Sequence, residues 1–579
     1  MEHNKAKKRI AILGGGPSGL FIYKRLIESD QEIIEIDVFE KKGQLGAGMP
    51  YSREGANEEH ITNVSANEVP PLVTSMEEWI KTIPTSELQK FNVDPETFHA
   101  YKVLPRLLFG QYLSSQFSLL QCKAKQAGII TRVHLHSTII DIADRPDQKQ
   151  VEIQTVEKDA LLFNYVIICT GHHWPAKYEG TIPGYYDSPY PPSKLGLQLN
   201  HSVAIRGSSL TAIDAIRTLA RHNGSFQEDR HGKLSFQVAE HSPAFKLILY
   251  SKGGLLPAIR FHLQDPNLSH HSLLTPEQID RHKAGNDGFV SLDFIFEKDF
   301  KEKFREEDPA FYERIRNRSL ENFVNSMMEI RGHLEPFQLF RAEYAEAEKS
   351  IQRKKSVYWK ERLAILSFAL NYPAKYLSAE DMQRLQKVLM PLISIVIAFV
   401  PQSSCKELLA LNDAGILDIL SVESEGSHVE PESRGGITYH YTDANKQMHA
   451  VYYRTFVDCI GQPHLSFDQF PFKSLAANKS ISPARLRFRS AEAGRIAMQS
   501  GSQEIEQDVD GDYYLKVPGI AITDNFQVID QDGDYNSRIF IMAVPYIGGY
   551  NPDYSGLDFC EAASGRISTC ILESFTTVG

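Results

Sequence analysis

The sequence has few cysteines, no surplus of positive charge and no long apolar run. Its 579 residues include six cysteines, and none forms a CxxC or CxxxxC pair, which argues against a zinc ribbon and a dithiol flavoenzyme. Asp and Glu total 73 against 62 Lys and Arg, a formal charge of −11, so we expect no nucleic-acid partner. The longest apolar stretch, 388–401, contains Pro391 and falls short of the roughly 20 residues of a membrane span.

The N-terminus and the paired histidines further limit the class of protein and the kinds of site to expect. The first apolar run is too short for a signal peptide and leads directly into glycines, so we expect a cytoplasmic protein with reduced thiols and no membrane partner. Two adjacent histidine pairs, His172-His173 and His270-His271, have no further ligands at metal-binding spacing. We therefore predict no metal site.

The chain begins with the pattern of a dinucleotide-binding βαβ unit. An apolar strand at 9–13 leads into Gly14-x-Gly16-Pro17-Ser18-Gly19, an amphipathic helix follows, and a second strand ends at Glu40. The glycines allow a tight turn, close approach of a pyrophosphate and close helix packing, while the helix N-terminus offers N–H groups to the anion. The unit therefore predicts dinucleotide binding rather than a merely structural glycine turn.

The acid at the end of the second strand favours FAD or NAD in this first site. Glu40 accepts hydrogen bonds from ribose hydroxyls and repels a 2′-phosphate. It is followed by Lys41 and by a glycine-rich loop at 43–51 that contains Gly46 and Gly48. We interpret this loop as part of the flavin site, with a plain surface loop as the alternative. A buried strand at 165–169 then ends in Thr170-Gly171, which predicts a second close approach to the flavin nucleotide.

A second, degraded glycine motif predicts a nicotinamide site. A strand at 202–206 leads into Gly207-Ser208-Ser209, with Ala212 where the third glycine is expected, and a helix follows. The next strand, 245–250, runs into Ser251 and Lys252, which places a cation where the first unit has Glu40. Both side chains suit a 2′-phosphate, so we predict NADPH, with NADH possible.

The remaining chain is predicted to be a helical insertion followed by strands that return to both sites. Cofactor contacts are expected where an apolar strand ends at Gly461, and where a C-terminal strand leads through Gly549 and Gly556 into a helix beginning at Leu557. The helix N-terminus is expected near the flavin ring. The predicted division is 1–195 and 456–579 for the FAD domain, 196–264 and 395–455 for the NAD(P) domain, and 265–394 for the insertion.

Taken together, these motifs resemble the bacterial FAD/NAD(P)-binding flavoproteins related to flavin-dependent monooxygenases, especially the N-hydroxylating kind. The resemblance implies an α/β fold with two Rossmann-like domains, like that of the two-domain flavoproteins of the glutathione reductase type, plus the insertion. The sequence departs from Baeyer–Villiger enzymes, since no FxGxxxHxxxW precedes the second glycine motif, and that motif is not an intact GxGxxG. The segments that carry the resemblance are GAGMPYS at 46–52, HITNV at 60–64, TGH at 170–172, SPYP at 188–191, GSSLTAID at 207–214 and GGLLP at 253–257.

The resemblance implies an FAD-dependent, NAD(P)H-using monooxygenase. In such a mechanism reduced flavin reacts with O₂ to give a C4a-hydroperoxide, which oxygenates a small-molecule N, S or C nucleophile. Asn63 lies in the matching region and is our candidate for a polar group near that peroxide, with a loop-capping Asn as the alternative. Two other functions stay open: a flavin reductase or oxidase without oxygen insertion, and a non-catalytic flavin-binding redox sensor.

Overall fold

The structure is a computed structural model of the chain, and it describes residues 7–29, 33–157, 160–172, 174–265, 273–423, 426–462, 464–553 and 556–576. His173, His270 and His271 lie outside these ranges. Among the residues described, no helix is long and apolar enough to cross a membrane.

The strands fall into two parallel sheets and several small antiparallel ones. In chain order they are β1 (Lys8–Leu13), β2 (Ile34–Glu40), β3 (Ile61–Ser65), β4 (Val103–Pro105), β5 (Ile130–Leu135), β6 (Ile139–Arg145), β7 (Gln150–Thr155), β8 (Ala160–Phe163), β9 (Tyr165–Ile168), β10 (Tyr185–Tyr186), β11 (Ser202–Arg206), β12 (Gly224–Glu228), β13 (Leu234–Val238), β14 (Lys246–Lys252), β15 (Leu417–Val422), β16 (His428–Pro431), β17 (Ile437–Thr442), β18 (Met448–Tyr453), β19 (Thr455–Asp458), β20 (Pro483–Arg487), β21 (Ile505–Gln507), β22 (Tyr513–Ile520), β23 (Gln527–Ile529) and β24 (Tyr535–Ile541).

The helices cover both sheets and form a separate group in the middle of the chain. They are α1 (Pro17–Glu28), α2 (Met76–Ile80), α3 (Thr85–Lys90), α4 (Arg106–Gln126), α5 (Leu210–Asn223), α6 (Pro276–Ala284), α7 (Leu292–Ile295), α8 (Phe304–Glu307), α9 (Pro309–Ile315), α10 (Leu320–Gly332), α11 (Pro336–Arg353), α12 (Tyr358–Ala369), α13 (Ala379–Arg384), α14 (Met390–Val396), α15 (Gln402–Asp413), α16 (Lys473–Ala477), α17 (Ala491–Gln499) and α18 (Leu557–Thr576).

The first sheet has the strand order β23-β24-β9-β1-β2-β5, and its strands are parallel except at the β23–β24 edge. The side chains of Ile10, Ile12 and Leu13 in β1 are fully buried, because both α1 and the antiparallel sheet β6-β7-β8 pack against this sheet. α1 and α18 pack against each other and share a hydrophobic core with this sheet. The carboxyl ends of β1 and β9 therefore meet the start of both helices.

The second sheet has the order β10-β19-β11-β14-β15 and is parallel throughout. β19 lies beside β11, with Phe456 opposite Ala204. This placement corrects the boundary predicted at residue 456, which cuts through a strand of the second sheet. The sequence pattern does not distinguish the two sheets here, because β9 and β19 are both apolar strands that end close to a glycine.

The middle helices α6–α14 share a hydrophobic core, except α11, which packs into the core of the second sheet. Leu320, Phe323 and Val324 of α10 are buried in it, as the helical spacing predicts, while Met327 and Met328 pack only partly against it. Side chains of β20 and β22, such as Leu486 and Leu515, complete this core. The antiparallel sheet β20-β22-β21 therefore packs on the middle helices.

A buried ion pair joins α5 to α15 beside the second sheet. Both carboxylate oxygens of Glu407 accept hydrogen bonds from Arg217 and Arg221, at 2.7–2.9 Å. Burial alone raises a carboxyl pKa, but the two guanidinium groups outweigh it and lower the pKa of Glu407 to about 2.

We predict that Glu407→Gln lowers the free energy of unfolding at pH 7 by about 3 kcal/mol, because it leaves a buried guanidinium without its anion. The folded-state pKa lies below the unfolded value of about 4.3, so the stabilisation is present above that pH and is lost as the pH falls toward 2. Urea unfolding followed by circular dichroism measures both effects. The matched control is Glu492→Gln, which breaks an exposed pair with Arg495 and should change little. Equal urea midpoints for Glu407→Gln and wild type at pH 7 would contradict this prediction.

Candidate functional site

The turn between β1 and α1 brings the chain close to the neighbouring strand β9. Gly14 has a φ of +114°, and a Cβ there would lie 2.6 Å from the carbonyl oxygen of Cys169. Both the left-handed backbone and the lack of space require glycine at this position. Pro17 then occupies the first turn of α1, whose N-terminal N–H groups point toward the carboxyl end of the sheet.

The glycine-rich loop that follows β2 packs directly on this turn. A Cβ on Gly16 would lie 3.2 Å from the Cα of Gly48, and the N–H of Gly46 donates to the carbonyl of Gly15 at 2.6 Å. The two glycine loops therefore form one backbone cradle.

Glu40 closes the cradle at the end of β2. Its side chain is buried and accepts hydrogen bonds from the N–H groups of Gly15, at 2.8 Å, and Lys42, at 2.9 Å. Each carboxylate oxygen has a second lone pair, so the group keeps capacity for the hydroxyls of a ribose.

A cavity of about 600 Å³ runs along the cradle, a size typical of small-molecule and cofactor sites. The hydroxyl of Thr170 is buried beside it with no hydrogen-bond partner in the part of the chain that the structure describes, which points to a ligand. These observations fit FAD. The predicted cofactor residues that line this cavity are Gly14, Gly16, Pro17, Ser18, Glu40, Lys41, Gly48, Thr170, Gly171, Gly556 and Leu557.

Nine predicted cofactor residues are not among those that line this cavity: five belong to the second sheet, namely Gly207, Ser208, Ser209, Lys252 and Gly461, and the other four lie near the first sheet. Gly19, Gly46 and Gly549 instead allow close backbone packing, against Gly14, Leu113 and Pro518 respectively. Asn63 lies on β3, and its carbonyl accepts a hydrogen bond from the buried side chain of Arg260. The structure therefore gives Asn63 no contact with the cavity, and its predicted role at the flavin stays without structural support.

The cavity also includes residues that the sequence patterns did not single out. Met542 and Pro545 come from the end of the sheet, and Phe559 and Cys560 from the first turn of α18. Burial raises the pKa of the Cys560 thiol to about 12, and the pKa of Cys169 also lies well above its ordinary value. Both thiols line the cavity in their neutral, unreactive form.

Two carboxyl groups with raised pKa values lie at the start of α18. Burial raises the pKa of Asp553 to about 6, while burial and the nearby Asp553 raise that of Asp558 to about 7. The backbone N–H of Asp553 donates to Asn371, which anchors this turn to the middle helices. At neutral pH Asp558 can therefore hold a proton next to Leu557, which lines the cavity.

The second sheet repeats the geometry of the first turn. Gly207 has a φ of +110°, and a Cβ there would lie 2.7 Å from the carbonyl of Cys459, as at Gly14 and Cys169. The N–H of Gly207 donates to Tyr250 at 2.8 Å, just as that of Gly14 donates to Phe39. Ser209 then precedes the first turn of α5, in the place that Gly16 has before α1.

The two serines of the second turn differ, since Ser208 faces inward and Ser209 is exposed. Ser208 donates to the carbonyl of Leu255 at 2.8 Å and lies 2.9 Å from the hydroxyl of Ser251. Ser251 is itself buried, whereas Lys252 at the end of β14 is exposed. Of the two side chains predicted for a 2′-phosphate, Lys252 is therefore the one available to a ligand.

The two turns approach each other through the loops that follow β9 and β19. His172, directly after Thr170-Gly171, makes a hydrogen bond to Gln462, directly after Gly461. His172 also stacks on Trp174, with ring centroids 5.5 Å apart. The loops that follow β9 and β19, one from each sheet, thus meet at this contact.

A buried polar cluster fixes the two sheets in this arrangement. The carboxylate of Asp214 on α5 accepts from Arg106 at 2.5 Å and from Tyr190 at 2.7 Å. His60 bonds to the backbone carbonyl of Asp214 and to Thr218. Burial opposes the charge on Asp214, but Arg106, His60 and Tyr190 together outweigh burial and hold the pKa of Asp214 below its ordinary value.

Comparison with known proteins agrees with this geometry. Residues 11–173 match the family model described as FAD-NAD(P)-binding, and residues 275–397 match the YdhS-like middle domain. The chain thus carries an FAD/NAD(P)-binding domain, which confirms the predicted class of flavoprotein. The YdhS-like match covers the helices from α6 to α14.

Three individual proteins extend the comparison. The chain is 28% identical over 570 residues to the Escherichia coli (strain K12) uncharacterized protein YdhS, covering 98% of both chains. It is 25% identical over 173 residues to flavin-containing monooxygenase 5 of Cavia porcellus, covering 29% of this chain and 28% of that one. L-lysine 6-monooxygenase from Pseudomonas syringae shares the fold, with a TM-score of 0.50, 12% identity and coverage of 98% and 99%.

We predict that Gly16→Val abolishes FAD occupancy, because the valine side chain fills the cradle between residue 16 and Gly48. The flavin absorbance of the purified protein, relative to its absorbance at 280 nm, measures this. Gly332→Val is the matched control, since Gly332 is exposed at the end of α10 with open space around it. Full flavin content in Gly16→Val would show that the cofactor is held elsewhere.

Proposed function

We propose that this protein is an FAD-dependent oxidoreductase that oxidises NADPH and transfers oxygen from O₂ to a small-molecule N, S or C nucleophile. The observation that carries the proposal is the pair of equivalent glycine turns, at Gly14 and Gly207, each packed on a strand whose following loop meets the other in one contact. The match to part of a flavin-containing monooxygenase supports the choice of reaction.

The first turn would hold FAD. The carboxylate of Glu40 would accept the ribose hydroxyls, and the N-terminal N–H groups of α1 would bind the pyrophosphate. Thr170 would donate its unsatisfied hydroxyl to the bound cofactor. The start of α18 would place a positive helix end next to the flavin ring.

The second turn would hold the nicotinamide nucleotide. The start of α5 would bind its pyrophosphate, and the exposed ammonium group of Lys252 would bind a 2′-phosphate. No acid occupies the position that corresponds to Glu40, so nothing there opposes the phosphate. The contact between the loops that follow β9 and β19 would bring the nicotinamide toward the flavin.

When bound, FAD supplies the redox chemistry, accepting a hydride from NADPH and passing electrons to O₂. The chain's own part is to orient both cofactors and to hold protons nearby. Asp558, with a pKa of about 7, is a suitable proton store at the start of α18. The cavity thiols Cys169 and Cys560 stay protonated, which disfavours a thiol relay as the route for electrons.

Oxygen transfer is tested by comparing the H₂O₂ released with the NADPH consumed in air. Amines and thioethers, with and without a carboxylate group, serve as candidate acceptors. We expect at least one acceptor to increase NADPH consumption and to reduce the H₂O₂ formed below one molecule per NADPH. One H₂O₂ per NADPH with every acceptor would instead identify an oxidase.

We predict that Lys252→Ala lowers the preference for NADPH over NADH by roughly tenfold, because a hydrogen bond to a charged group contributes about 1.5–3 kcal/mol. The ratio of kcat/KM values for flavin reduction by the two nucleotides measures the preference. Lys246→Ala is the matched control: it removes an exposed lysine from the opposite end of β14. Equal efficiency of NADH and NADPH in the wild type would refute the role of Lys252.

A further inference from the structure

A second cavity, of about 460 Å³, lies between the middle helices and α18. Its walls come from the end of α12 and the residues that follow, from the segment between β22 and β23, and from one face of α18. On α18 that face contains Phe559, Ala563 and Arg566, at the spacing of successive helical turns. The volume suits a small organic molecule.

Phe559 links this cavity to the FAD site. Its side chain lines both the second cavity and the cradle cavity. Tyr550 and Asn551, which precede the start of α18, line the second cavity as well. A molecule bound there would therefore be one aromatic ring away from the cofactor cavity.

Most of the charge in the second cavity is internally paired. The carboxylate of Asp524 accepts hydrogen bonds from Lys375 at 2.6 Å, Tyr376 at 2.8 Å and Tyr372 at 3.1 Å. Burial opposes this charge, but Lys375 and the two tyrosines together outweigh burial, and the pKa of Asp524 lies below its ordinary value. Asp524 is thus neutralised within the wall and does not attract a cation.

Arg566 differs from Lys375 because no carboxylate pairs with it in the described parts of the chain. Its Nη1 donates to the backbone carbonyl of Asp524 at 3.2 Å, and its guanidinium lies 4.5 Å above the ring of Tyr372. A guanidinium carries five N–H donors, and its planar fork matches a carboxylate. The other acidic residue of the wall, Asp299, accepts from the N–H of Leu274, and burial raises its pKa to about 6.

From this arrangement we infer that the second cavity binds the organic substrate, and that the substrate is a carboxylate with an apolar or aromatic body. Arg566 holds the carboxylate, and Phe526, Phe559 and the neighbouring alanines of α18 contact the body. The identification as the substrate site rests on the proposed function, whereas the class of ligand rests on the cavity alone.

Direct binding to the FAD-loaded protein tests the inference without nicotinamide. The probes are 3-phenylpropanoate, 4-phenylbutanoate and, as a cationic match, 3-phenylpropylamine, each measured by saturation-transfer NMR and isothermal titration calorimetry. We expect saturable binding of at least one acid and none of the amine. Arg566→Gln should weaken binding of that acid at least tenfold, and Arg566→Lys, which keeps the charge but loses the fork, should weaken it less.

Arg434→Gln is the matched control, since Arg434 also lies over a tyrosine, 3.8 Å from the ring of Tyr452, but on an exposed surface. It should leave acid binding unchanged. The inference is overturned if neither acid binds at 1 mM, if the amine binds more tightly than the acids, or if Arg566→Gln binds the acids as the wild type does. The wild-type comparison of acid and amine is decisive even if Arg566→Gln does not fold. Failure of NADPH to reduce the flavin would contradict the proposed function, but it would not affect the conclusion that the cavity binds a carboxylate.

Discussion

The buried carboxylate of Asp214 is the contact on which the relation between the two sheets depends. It lies on α5 of the second sheet and binds Arg106, the first residue of α4 beside the first sheet, together with Tyr190 from the connecting segment. A buried charge of this kind is costly unless it is fully paired, so the cluster permits one arrangement and penalises others. In that arrangement the loops that follow β9 and β19 meet through His172 and Gln462.

The two glycine turns have the same backbone conformation, and we propose that they bind different nucleotides. Gly14 and Gly207 share their left-handed conformation and their close approach to a cysteine carbonyl. They differ at the end of the following strand, where the first sheet has the buried Glu40 bonded to the turn, while the second sheet has Ser251 at the matching position and the exposed Lys252 after it. The end of β2 thus suits free ribose hydroxyls, and the end of β14 suits a 2′-phosphate. Each sheet therefore favours a different cofactor.

The parts of this account that are local in sequence could be predicted, and the parts that need distant segments could not. The turn at Gly14 and the acid at Glu40 lie within one βαβ unit, so spacing alone predicts their geometry. The strand β19 lies in the second sheet, whereas the sequence pattern places it with the FAD domain. An apolar strand before a glycine such as Gly461 suits either sheet. The pairing of Arg566 with the far-removed Tyr372, and the absence of Asn63 from the cavity lining, depend on tertiary packing that no short motif encodes.

We propose that both nucleotides bind at once, with the nicotinamide directed at the flavin. A single-turnover experiment measures this orientation. The FAD-loaded protein is mixed anaerobically with NADPH that carries deuterium on one or the other face of its C4 carbon, and the loss of visible flavin absorbance is timed. We expect rapid bleaching that is slowed by deuterium on one face only, because the two sites fix a single orientation of the nicotinamide over the flavin. No bleaching by either NADPH or NADH, or equal slowing from both faces, would contradict it.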